Sequence, residues 1–303
     1  MKYLKYYKDK NIKEEDMFNY FVKNLRDSIK TWNYFIDWNK VFKGLNNVKI
    51  ALNLLNSLIG SKKLKDEFIE LITNYPEIIT AFPILIAVRD NELKIIKDYE
   101  NLDLSYIEFD FKKKEEISQK KALEYYNFFN KSGLVELFSK TGNLVDYVLG
   151  VEVGLDSNGR KNRGGKLMEN VVEVFISKFC EKNNLEYLKE ATAHSIKKKW
   201  NFDVKFDKSS RRYDFAIYKN NQLYLFETNF YNGGGSKLKS VCGEFKVLSN
   251  ELKKQNINLI WITDGLGWQS TLRPLEETFN NNDYIFNLKM LEDDVLEEVI
   301  RND

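Results

Sequence analysis

Two acidic side chains stand where a β-hairpin would not ordinarily keep them. In RRYDFAIYKNNQLYLFETNFYNGGGSK, residues 211–237, the runs YDFAIY and QLYLFETNFY are rich in aromatic and branched residues. KNNQ between them is turn chemistry, so the stretch reads as a hairpin. Asp214 opens the first strand and Glu227 interrupts the most apolar run of the second. With Asn220 and Asn221 as a two-residue turn, where asparagine tolerates the required positive φ, the register sets Asp214 opposite Glu227. Opposed residues share a face with Cβ atoms roughly 4.5–5.5 Å apart, and like charges there destabilise a sheet. Two facing carboxylates make chemical sense with a cation between them. Mg²⁺ is held in that way, by one or two carboxylates with waters and phosphate oxygens. Period two puts Asn229 on the same face as Glu227. A hairpin with two solvated acids is the plain alternative.

The rest of the composition narrows the chemistry. The chain contains a single histidine, His194, beside a lysine run. Histidine-cluster zinc sites, H-E-x-x-H helices and two-histidine phosphodiester chemistry are therefore excluded, and His194 reads as a surface residue. Cys180 and Cys242 give neither a disulfide framework nor a zinc knuckle. Carboxylates and lysines must carry any catalysis. At 303 residues, with 43% hydrophobic and 14% aromatic residues, the chain is folded and has ample core. Its 47 basic and 45 acidic residues leave a formal charge of only +2, so any basic surface must be local. With no run of 18 apolar residues and no secretory signal, a reducing, cytoplasmic location is expected.

The elements that position the acids lie in the second half. Residues 1–140 read mainly as helices, among them MFNYFVKNLRDSIKTWNYFIDW and VKIALNLLNSLIG, the latter ending at Gly60. ELKIIKDYENLDLSYIEFDF is more strand-like, and KKKEEISQKKALEYYNFF returns to helix. From Leu144, LVDYVLGVEVG is a compact apolar stretch and DSNGRKNRGG a turn-rich basic loop. KLMENVVEVFISKFC follows as an amphipathic helix with Met168, Val171, Val172, Phe175 and Phe179 on one stripe and Glu169 on its border. After the hairpin, a glycine loop runs into the helix of SKLKSVCGEFKVLSNELKKQ, and NINLIWIT reads as a buried strand. The order helix, strand, strand, helix, strand predicts an α/β fold. A mixed sheet flanked by helices would occupy residues 141–303, and a largely helical region residues 1–140.

Glu169, Asp214 and Glu227 can converge where the helix packs on the sheet. A metal ion there would polarise a phosphoryl oxygen and acidify a bound water. Basic residues interleave with the acids: Arg160, Lys161 and Arg163; Lys197 to Lys199 before Trp200; Arg211 and Arg212; Lys237 and Lys239 after the triple glycine. Each run alone is ordinary for a solvated face. Together they surround an acidic metal site with the charge that an anionic DNA backbone requires.

Asp214, Glu227 and Asn229 with an upstream helical glutamate resemble the PD-(D/E)XK nuclease core, whose final position is usually lysine. GVEVGLDSNGRKNRGGKLMENVVE, RYDFAIYKNNQLYLFETNFYNGGGSKL and WITDGLGW resemble the DpnII/MboI family of type II restriction endonucleases more closely still. NYFIDWNKVFKGLNNVKIALNLLNSLIGS and NYPEI extend the likeness into the first half. The resemblance implies a Mg²⁺-dependent enzyme that cleaves double-stranded DNA at the palindrome GATC. It implies a homodimer on DNA, a companion adenine methyltransferase that protects the host's sites, and an N-terminal region that embraces the duplex. Carried onto this chain, the acidic pair is Asp214 and Glu227, with Asn229 third and Glu169 beside them. Asn229 can bind a water but cannot act as a base at neutral pH. Lys237 is therefore the candidate cation, with a phosphate clamp as its other reading. Asn232, Gln269 and Arg273 are candidate base readers, and Arg160, Lys161 and Arg163 candidate contacts to guanine or phosphate. The competing readings are a DNA-binding protein with a disabled site, and a repair or nicking nuclease of the same core.

Overall fold

The structure is a computed structural model describing residues 1–98, 100–206 and 210–301, without the side chains of Lys161, Asn162, Ser236 and Arg301. It divides into two compact units: residues 32–160, and residues 1–31 together with 161–303. The division differs from a single cut near residue 140, because the first 31 residues return to the unit that carries the acidic hairpin. They are tied in by long-range bonds. Asn287 Nδ2 donates to the Phe21 carbonyl at 2.9 Å, and the Arg26 N–H donates to Asp264 at 2.7 Å.

The 32–160 unit is mostly helical around its own aromatic core, in which Phe68, Phe82, Phe111 and Phe129 are fully buried. Its hairpin, β1 (Glu92–Asp98) and β2 (Asp103–Asp110), falls in the strand-like segment, and the helix Gln119–Lys131 follows as expected. MFNYFVKNLRDSIKTWNYFIDW is not one helix. Helix Met17–Lys23 stops, and a new one, Trp38–Leu55, starts where the Asp37 side chain accepts from the Lys40 N–H at 3.1 Å. Such a cap satisfies an otherwise orphaned donor and sets a helix boundary. LVDYVLGVEVG becomes the helix Leu144–Ser157, with Asn143 capping the Val145 and Asp146 N–H groups.

The larger unit is a five-stranded sheet with helices packed on it. In spatial order it runs β3 (Tyr187–Ala191), β4 (Tyr213–Lys219), β5 (Gln222–Phe230), β6 (Ile257–Asp264) and β7 (Tyr284–Phe286). The first two junctions are antiparallel and the last two parallel. The mixed α/β reading holds. The DSNGRKNRGG segment departs from expectation, because from Arg160 onward it belongs to the helix Arg160–Asn183. Packing of the downstream stripe, with Met168, Val172, Ile176 and Phe179 buried, carries the helix through Gly164 and Gly165. Each glycine opposes that by roughly 1 kcal/mol. Among the described residues, no helix is long and apolar enough to cross a membrane.

Candidate active site

The hairpin turn is built as the two asparagines require. Asn220 and Asn221 have φ of 50° and 62°, and the ladder runs from Lys219 opposite Gln222 to Phe215 opposite Phe226. One step further along the same register stand Asp214 and Glu227. There the ladder gives way to side chains: Asp214 Oδ2 accepts from the Thr228 N–H at 2.7 Å and from its hydroxyl at 2.8 Å. Those two donors orient the carboxylate. Asp214 Oδ1 takes no hydrogen bond from the described residues.

Glu227 is the more telling group. It is largely withdrawn from water yet has no hydrogen-bond donor among the described residues. Burial, then the charge of Asp214, push its carboxyl up to about 8, while Arg211 pulls the other way. Asp214 is also raised, chiefly by burial and against the help of Thr228, with Glu169 adding repulsion and Lys166 relieving it. Asp264 provides the contrast. That fully buried carboxylate accepts backbone N–H groups from Arg26, Gly265 and Leu288, as a structural buried charge must. Glu227 has no such compensation. Two opposed carboxylates, one of them without a donor among the described residues, fit a hard divalent cation, whose preferred ligands are oxygens. Glu169 acts on both through its charge but does not complete a cage. Among the described residues, no three His, Cys, Asp or Glu side chains are grouped to hold a metal ion.

Asn229 does not stand free for chemistry. Its Oδ1 accepts from Trp261 Nε1 at 2.8 Å, satisfying an indole N–H that is fully buried. The Trp261 ring stacks on Phe245 of the helix Ser236–Lys253, with centroids 4.0 Å apart. Only the amide nitrogen of Asn229 remains to meet a water. A lysine in its place could not accept the indole hydrogen.

Two charged residues near the acids, Lys166 and Glu244, escaped sequence reading. Lys166, one turn before Glu169, binds it at 2.7 Å and is the cation that acts on Asp214. Their i, i+3 spacing on one helix is the signal that could have found the pair. Glu244, on the helix after the glycine loop, pairs with Arg211 at 3.4 Å, and both act on Glu227. Arg212 is exposed and pairs with Glu190 at 3.3 Å.

The glycine loop lies past the end of β5, at the sheet end that carries Glu227. The Tyr231 N–H donates to the Asp264 carbonyl at 3.0 Å, and the Gly267 N–H to the Tyr231 carbonyl at 2.8 Å. A Cβ on Gly234 would lie 2.2 Å from the Ser270 hydroxyl, so bare backbone is needed there to join the loops after β5 and β6. Asn232 and Gln269 are exposed on these joined loops. Lys237 and Lys239, at the start of the following helix, are exposed and form no ion pair among the described residues. Arg273 is 91% exposed and only loosely paired, 3.6 Å from Glu277. Arg163 lies in the first turns of the helix Arg160–Asn183, and the Lys161 side chain is outside the described residues. Arg160 ends the other unit, where its Nε donates to the Phe35 carbonyl at 3.3 Å. His194 is exposed, as expected.

Comparison with known proteins supplies what geometry alone does not. Residues 17–298 match the family model described as DpnII restriction endonuclease. The type II restriction enzyme MjaIII of Methanocaldococcus jannaschii is 47% identical over 290 residues, covering 93% of this chain and 99% of that protein. LlaDCHI of Lactococcus lactis subsp. cremoris is 40% identical over 298 residues, covering 96% and 97%. DpnII of Streptococcus pneumoniae is 37% identical over 302 residues, covering 95% and 100%. No solved structure matches the chain.

Proposed function

Because this chain belongs to the DpnII restriction endonuclease family, we propose that it hydrolyses double-stranded DNA at GATC with Mg²⁺ held by Asp214 and Glu227. The observation that carries the reading is the opposed carboxylate pair at the end of the β4–β5 hairpin, in which Asp214 is oriented by Thr228 and Glu227 is largely buried with no donor among the described residues. A divalent ion bound there supplies Lewis-acid polarisation of the phosphate and a more acidic water. Thr228 holds Asp214 in one orientation by two hydrogen bonds. With a divalent cation bound, Glu227 would be held deprotonated, because the cation's charge would offset the repulsion from Asp214. Lys166 keeps Glu169 paired and leaves a positive charge beside Asp214, where an incoming phosphodiester would lie. Asn229, anchored on Trp261, contributes at most its amide N–H to a water. The exposed Lys237 is left to meet a phosphate from the start of its helix.

GATC is two-fold symmetric and each chain carries one acid pair, so we assign a homodimer to the double-strand cut. A partner methyltransferase acting on the adenine N6 would protect host DNA. That amino group is a major-groove donor, and losing a bidentate contact to it costs about 1–3 kcal/mol of discrimination. The test is digestion of one plasmid, unmethylated and N6-methylated at GATC, with Mg²⁺ or with chelator, followed by mapping of the ends. Cuts confined to unmethylated GATC, and only with metal, are expected. Equal cutting of both plasmids, or ends at other sequences, would overturn the assignment. DNA binding without cleavage would instead favour a disabled scaffold, the alternative suggested by a neutral Asn229 tied to Trp261.

A further inference from the structure

Trp261 lies fully buried in the sheet, yet it adjoins the acid site. Parallel pairing of β5 with β6 sets Trp261 beside Glu227 and Thr263 beside Asn229, so Trp261 shares a face with both site residues. Its ring is fixed on two sides. It lies nearly flat on Phe245, with centroids 4.0 Å and planes 11° apart, and meets Trp268 edge-on at 5.6 Å. Trp268 is itself tied to the same strand, its Nε1 donating to the Thr263 hydroxyl at 2.9 Å. A ring held in this way keeps its N–H in one place, and that N–H donates to Asn229 Oδ1 at 2.8 Å. An indole nitrogen only donates, so the oxygen end of the Asn229 amide must face Trp261 and the nitrogen end must face away. Turning the amide over would set donor against donor and leave a buried N–H unpaired, a state disfavoured roughly ten- to a hundredfold. Asn229 is half-buried, and its Nδ2 donates to no described residue.

We propose that Trp261 is a positioning residue for cleavage: its indole N–H fixes the polarity of Asn229, so that a donor and not an acceptor is presented to the water held at the acid pair. The proposal rests on the nuclease reading and extends it to a side chain in the core. Ionised Asp214 and Glu227 can only accept hydrogen bonds, so the amide adds a donor on their face. A preset donor needs no reorientation during the reaction, which is where directed hydrogen bonds contribute to rate. Orientation imposed by a buried ring thus serves where a lysine would bring charge.

The experiment measures single-turnover cleavage of a GATC duplex with Mg²⁺, and affinity for the same duplex in chelator, on the full chain. Trp261→Phe keeps a ring against Phe245 but loses the N–H. Benzothienylalanine at the same position keeps the whole shape with sulfur in place of N–H, so it remains informative where Trp261→Phe folds poorly. Each should lower the rate about tenfold or more while affinity stays within about twofold. Asn229→Asp keeps an acceptor for Trp261 but turns an oxygen towards the acids, and should lose at least as much rate. Asn229→Ala with Trp261→Phe should be no slower than Asn229→Ala alone, because a residue that acts only through another adds nothing once that other is gone. The five tryptophans give five indole N–H signals by NMR. The one lost in Trp261→Phe should move in metal-free Asn229→Ala, a readout independent of cleavage. Rates within twofold of the parent in the benzothienylalanine protein or in Asn229→Asp would overturn the proposal. So would additive losses in the double variant, an unmoved indole signal, or a loss of rate matched by a loss of affinity. A parent chain that cut no duplex would overturn the nuclease reading along with it.

Discussion

Replacing Glu227 with glutamine should stabilise the metal-free protein, and by an amount that grows with pH. The carboxyl is pushed from its ordinary 4.5 up to about 8 by burial and by Asp214. The folded state therefore binds more protons than the unfolded state between those values. A raised carboxyl favours folding at low pH and loses that advantage as pH rises through the window, at about 1.4 kcal/mol per pH unit. By pH 7 the loss is on the order of 3 kcal/mol relative to pH 4.5. Glu227→Gln removes the titration while keeping the shape, so the two proteins should match near pH 5 and diverge towards pH 8. Added Mg²⁺ should reverse the order, stabilising only the parent, since a ligand that binds the folded state alone raises its stability. Urea unfolding at four pH values, each with and without Mg²⁺, measures all of this. Parallel pH profiles for the two proteins, or equal stabilisation of both by Mg²⁺, would refute the reasoning.

Other substitutions probe the surroundings. Asn229→Ala leaves the buried Trp261 indole N–H without its acceptor and should cost about 1–3 kcal/mol in thermal or urea unfolding; an unchanged midpoint would show that the bond is dispensable. Lys237→Ala should reduce affinity evenly across sequences and shrink the salt slope by about one if the exposed lysine only clamps a phosphate. A fall in single-turnover rate with unchanged affinity would instead give it a role in the chemical step, and no change in either would make it a solvated lysine. Sedimentation of the DNA complex should give two chains per GATC site, and one chain per site during double-strand cleavage would contradict the dimer.

Local signals made the centre of the site readable. Asn220 and Asn221 dictate the turn, the turn dictates the register, and the register delivers Asp214 opposite Glu227 without any tertiary information. The apolar run of β6 is equally local. What escaped is non-local or weakly patterned. β3 is five residues with charged Lys189 and Glu190 at its exposed centre, and β7 is only three residues long, so neither shows a period. The link between Asn229 and Trp261 joins residues 32 apart in sequence, and nothing in FETNF announces it. The return of residues 1–31 to the sheet unit depends on partners such as Asn287 and Asp264, more than 200 positions away. The basic run before Met168 looked like a loop because its glycines and asparagine are poor helix formers; packing further along the same helix overrides them.

The central claim, that Asp214 and Glu227 jointly hold the metal for phosphodiester cleavage, is tested most directly by single-turnover cleavage of a GATC duplex. Parent, Asp214→Asn and Glu227→Gln are compared at saturating protein, with and without Mg²⁺. The parent should cut only with Mg²⁺. Each variant should bind the duplex as well or better, since acidic repulsion of phosphate is relieved. Each should also lose at least about a thousandfold in rate, corresponding to several kcal/mol of lost charge stabilisation. Near-parent rates in either variant, or full cleavage by the parent in chelator, would contradict the account.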